Sequence, residues 1–76
     1  METTSLKVDY LIIVNNIPAY SYSVQGFSQP DFTVHLVIYQ DFRYFSQAKE
    51  YALVIGKLLD IRVYFQRGLG MAERIL

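Results

Sequence analysis

Apolar and polar residues alternate in three stretches along the first half of this chain. From Lys7 to Val14, Val8, Tyr10, Ile12 and Val14 fall on one face of an extended backbone, with Asp9, Leu11 and Ile13 on the other. The inner run Tyr10 to Val14 is apolar on both faces, as expected for a central strand covered from two sides. From Ala19 to Gln25 the alternation is cleaner: Tyr20, Tyr22 and Val24 oppose Ala19, Ser21, Ser23 and Gln25, one buried face and one wet face. The intervening Asn15-Asn16-Ile17-Pro18 has turn chemistry, so these two strands should form a hairpin. A loop at Gly26 to Asp31 leads to a third strand, Phe32 to Tyr39. There Val34, Leu36 and Ile38 share one face, and Thr33, His35, Val37 and Tyr39 the other.

The period then changes. Ala48, Tyr51, Ala52, Ile55, Leu58 and Leu59 recur at helical spacing, with Lys49, Glu50 and Lys57 opposite. Ser46 is the expected N-cap. Leu53 and Val54 lie off the stripe and suggest a second contact surface. Gly56 costs about 1 kcal/mol relative to alanine inside a helix; it either permits close packing on the sheet or is simply tolerated. Asp60 ends the helix. A fourth strand from Ile61 to Gln66 turns Ile61, Val63 and Phe65 inward and Arg62, Tyr64 and Gln66 outward. Gly68-Leu69-Gly70 breaks it, and Met71 to Leu76 reads as a short helical tail that docks Met71, Ile75 and Leu76.

The pattern predicts a single small two-layer α+β domain over residues 1–76, with residues 1–6 frayed. Its order is β-β-β-α-β: a three-stranded antiparallel meander, a crossover helix, a fourth strand parallel to the third, and the helical tail. Strand 4 can flank strand 3 or strand 1. One helix covers one face of a sheet. The other face is expected to carry Leu11, Ile13, Val37 and Tyr39, and its natural occupant is the same face of a second copy.

Composition sharpens this picture. With 76 residues there is room for one core, and a chain of this size is marginally stable alone. A 53% apolar content exceeds what such an interior absorbs, which argues for a homodimer. The absence of cysteine removes disulfides, thiolate metal sites and thiol redox chemistry and fits a cytoplasmic location. No apolar run approaches the roughly 20 residues of a membrane span, and Met1-Glu2-Thr3-Thr4 does not open a signal peptide. Net charge is zero but uneven, −3 over residues 1–41 and +3 over residues 42–76. Neutrality removes the long-range field that gathers nucleic acid or anionic lipid.

Candidate chemistry is sparse. Gly68-Leu69-Gly70-Met71-Ala72-Glu73 begins like a dinucleotide fingerprint but lacks the third glycine and the helix that must follow. His35, the only histidine, could act as a general base beside Asp31 or Asp41, although no spacing selects a nucleophile. The scattered Asp9, Asp31, Asp41 and Asp60 show no metal-ligand spacing, so no metal or other cofactor is expected. Arg43, Arg62, Arg67 and Arg74, with Tyr44 and Tyr64, offer stacking and phosphate contacts for nucleic acid. Tyr and Arg are equally the residues that protein interfaces enrich. The expected function is a non-enzymatic interaction, regulatory or inhibitor module that acts as a homodimer and binds another macromolecule, a protein partner, with Leu11, Ile13, Val37, Tyr39 and Tyr64 as the protein-interface residues. The alternatives are a weak nucleic-acid binder using the four arginines and a small-molecule enzyme around His35 and Asp41.

Overall fold

The described residues form five strands and one helix: β1 (Tyr10–Asn16), β2 (Ser21–Ser28), β3 (His35–Phe42), α1 (Phe45–Leu59), β4 (Arg62–Gly68) and β5 (Met71–Arg74). The structure is a computed structural model and describes residues 7–16, 19–29, 34–68 and 71–76. The expected fraying of residues 1–6, part of the first turn and the start of the third strand lie outside the described residues.

The sheet order is β3-β2-β1-β4-β5. β1, β2 and β3 form the expected antiparallel meander. β4 enters beside β1 and parallel to it, which makes the doubly apolar β1 the central strand. The C-terminal segment is a strand rather than a helical tail. β5 pairs antiparallel with β4, and Ile75 and Leu76 continue the contact by donating their N–H groups to the Val63 carbonyl. Pairing to an open edge satisfies more backbone groups than one turn of helix can.

The core lies between α1 and one face of the sheet. Leu11, Ile13, Val24, Val63, Ala48 and Ala52 are fully buried there. The helix meets the sheet along a seam of small residues, Ala48, Ala52 and Gly56. An ideal Cβ on Gly56 would stand 2.5 Å from Val63 Cγ2, so close packing does occupy the space the glycine leaves. Aromatic rings flank the seam. Phe45 lies 4.8 Å from Phe65 and 5.5 Å from Tyr22, and Tyr51 lies 5.1 Å from Phe42, between ring centroids.

Five local expectations are corrected by this packing. The residues of β1 that face the helix are Leu11 and Ile13, both 0% exposed, so Tyr10, Ile12 and Val14 occupy the uncovered face instead. In β3 a register shift opposite Gly26 and Phe27 pairs Ile38 with Gly26 but Leu36 with Phe27. This bulge at Val37 puts Leu36 and Ile38 on opposite faces. Gly26, expected in a loop, is inside β2 and buried. The helix starts two residues early, with Tyr44 as an N-cap that makes no side-chain bond, so Ser46 is not the cap. Because the contact line follows the small residues, Leu58 turns away and is 80% exposed. Asp60 closes the helix as expected, in the left-handed region with φ 56°, while the Ile61 N–H donates to the Gly56 carbonyl at 2.9 Å.

Candidate functional site

The uncovered face of the sheet is the surface most unlike an ordinary solvated one. Strand registers arrange it as three rungs. The first runs Leu36, Phe27, Tyr10, Arg62 from β3 to β4. The second runs Tyr39, Gln25, Ile12, Tyr64, Arg74 from β3 to β5. The third runs Asp41, Ser23, Val14, Gln66, Ala72. The Tyr10 ring stacks on Phe27 at 5.4 Å and meets Tyr64 edge-on at 6.2 Å between centroids. These are favourable offset and T-shaped geometries. Tyr10, Ile12, Val14, Phe27 and Tyr64 are half-buried by one another, whereas Leu36 and Tyr39 at the β3 edge are 53% and 54% exposed.

Polar groups frame this apolar centre. On β2, Ser23 is buried and Gln25 donates its Nε2–H to Ser23 Oγ at 3.2 Å. A shallow groove runs along the β1–β4 side, lined by Asp9, Tyr10, Ile12, Gln29, Arg62, Tyr64 and Ala72. Asp9 holds its rim by accepting the Gln29 backbone N–H at 2.7 Å. Asp41 marks the β3 edge of the face, and Arg62 and Arg74 mark the β4–β5 edge.

The expected interface residues divide accordingly. Tyr39 and Tyr64 lie on the uncovered face, Val37 sits half-buried in the β3 bulge, and Leu11 and Ile13 are in the core under α1. Tyr10, Ile12, Val14 and Phe27 were missed as members of the surface. The signal for the β1 residues was present, since a strand apolar on both faces must show one of them to whatever lies opposite α1.

The four arginines do not converge. Arg62 and Arg74 border one concave region at the helix C-terminal end, with Lys7, Lys57, Asp9 and Asp60. Arg67 pairs with Glu73 at 3.6 Å, both largely exposed. Arg43 follows the C-terminal end of β3 with its guanidinium 5.8 Å from the Tyr44 ring centroid, at the opposite end of the sheet from Arg62.

The structure does not bring His35 and Asp41 together. They stand near opposite ends of β3, opposite Ser28 and Ser23 respectively, about 20 Å apart along the strand. Asp31 lies outside the described residues. Among the described residues, no three His, Asp or Glu side chains converge as metal ligands. None of the described helices is long and apolar enough to cross a membrane. Comparison with protein-family models, curated proteins and solved structures returns no match for this chain.

Proposed function

We propose that the protein is a non-enzymatic interaction module that works as a homodimer, the uncovered sheet face of one copy packing on that of the other. One observation carries this reading: the central strand β1 is apolar on both sides, and only Leu11 and Ile13 are covered by α1. Tyr10, Ile12 and Val14, flanked by Phe27 and Tyr64, form an apolar band that a lone domain leaves facing water.

The size of the face supports a second copy as its occupant. Strands rise about 3.3 Å per residue and lie about 4.8 Å apart, so the face covers roughly 500 Å² in plan. Two such faces pressed together remove on the order of 1,000 Å² from water, the size at which specific interfaces begin. Sheets stacked in this way sit about 10 Å apart with their side chains interdigitated. A cysteine-free chain suits such a module in the reducing cytoplasm.

Sedimentation or light scattering at tens of micromolar should give twice the 8.9 kDa chain mass. Ile12→Lys, which puts a charge at the centre of the band, should return the mass to that of one chain without unfolding it. A single-chain mass for the unaltered protein across that range would remove the proposal.

The platform of Tyr10, Phe27 and Tyr64 with Arg62 at its rim also favours a second reading, stacking on unpaired bases. That reading requires affinity for single-stranded nucleic acid that falls steeply with salt. Self-association through an apolar band responds weakly to salt, so the two separate in one titration.

A further inference from the structure

We infer that the two copies meet about a two-fold axis that runs along the strands over β1, so that the β3 edge of each protomer lies over the partner's β5 edge. This inference rests on the homodimer reading and specifies its geometry.

The argument is the placement of charge on the uncovered face. Asp41 is at one lateral edge, on β3. Arg62 and Arg74 are at the other, on β4 and β5. All three side chains are exposed. A face-to-face dimer has two simple choices of axis in the plane between the sheets. An axis across the strands keeps each strand over its own copy, so Arg74 on the middle rung faces the partner's Arg74. An axis along the strands exchanges the edges and keeps the rungs. Tyr39 then faces the partner's Arg74, a cation over an aromatic ring. Asp41 stands one rung further on, about 7 Å along the strand, within reach of an arginine side chain. Arg74 already donates its Nε–H to the Leu76 carbonyl at 3.0 Å, which leaves its other guanidinium N–H groups for such a contact. In the first arrangement like charges meet; in the second, opposite charges meet twice by symmetry.

Charge exchange tests the axis. Dimer dissociation constants are measured by sedimentation for Asp41→Arg, Arg74→Asp, the double variant, and equimolar mixtures. Each single reversal should weaken self-association roughly 3- to 10-fold at low salt, as expected for a pair of rim contacts turned repulsive. The double variant and the mixture of the two single variants should both recover the original affinity, since each recreates two Asp–Arg contacts. Circular dichroism melting of each variant reports folding separately. If the unaltered protein dimerises but the mixture fails to recover, the axis is wrong and the dimer stands. If Arg74→Asp mixed with unaltered protein binds more tightly than the unaltered protein alone, the axis across the strands is correct and this one is overturned. If the unaltered protein shows no dimer at all, the failure belongs to the homodimer reading itself.

Discussion

Two glycines decide how closely the layers of this domain approach. An ideal Cβ on Gly26 would lie 2.9 Å from both Ile38 Cβ and Leu11 Cδ2, where a strand neighbour and a core side chain converge. Ile38 Cβ is anchored to its own backbone and cannot withdraw. Gly26→Ala should therefore lower stability by about 1–3 kcal/mol, the usual range for overpacking, as read by urea unfolding. Gly56 poses the sharper test because two effects oppose. Alanine there gains up to about 1 kcal/mol of helix propensity. It also collides with Val63, a stiff β-branched side chain that is fully buried. The collision should win, so Gly56→Ala should melt at a lower temperature than the unaltered protein. A raised melting temperature would show that the seam has slack. Gly56 stood out in the sequence because it interrupts a strong helical stripe, but close packing and simple tolerance were equally open there, and the nearness of Val63 decides for close packing. Gly26 was not, because its crowding comes from β3, a segment distant in sequence, and a glycine after a strand ordinarily marks a turn.

At the scale of elements, what could be read from the pattern was the type and order of each element where its two faces differ. β4 is the clear case, with Val63 and Phe65 packed inward and Arg62 outward, as alternation requires. β1 could not be oriented in this way, since both of its faces are apolar and nothing local says which one meets α1. Packing resolves it, and Leu11→Ala should cost about 2–5 kcal/mol as a buried truncation. The helix start failed for a related reason. Ser46 is the better cap chemically, but Phe45 is drawn into the first turn by its contacts with Tyr22 and Phe65. The cap position therefore falls on Tyr44, which makes no capping bond, and the first turn has no acidic residue. Tyr44→Asp should thus stabilise the domain by about 1 kcal/mol, while Ser46→Ala should change it little. Thermal melts of the two variants check this, and a larger loss from Ser46→Ala would mean that the serine caps after all. The tail was misread because a six-residue segment holds too little periodicity to separate strand from helix; its partner β4 decides the matter.

For the whole molecule, the apolar band and the small core are two sides of one energetic problem. Among the described residues, the fully buried apolar side chains are Leu11, Ile13, Val24, Val63 and two alanines, a thin interior. Meanwhile Tyr10, Ile12, Val14, Phe27 and Tyr64 lie in the middle of the sheet with part of their surface open. Covering them with a second copy would add to each domain the burial its own core lacks. Folding and association are then linked, and stability must depend on protein concentration. The melting temperature should rise measurably between one and one hundred micromolar for the unaltered protein. Ile12→Lys should melt at the same lower temperature at both concentrations, because its stability no longer contains an association term. The comparison separates the two roles a residue in this band can have. If Ile12 served only the fold of a single domain, the substitution would lower the melting temperature equally at both ends of the range, and the unaltered protein would show no dependence on concentration to lose.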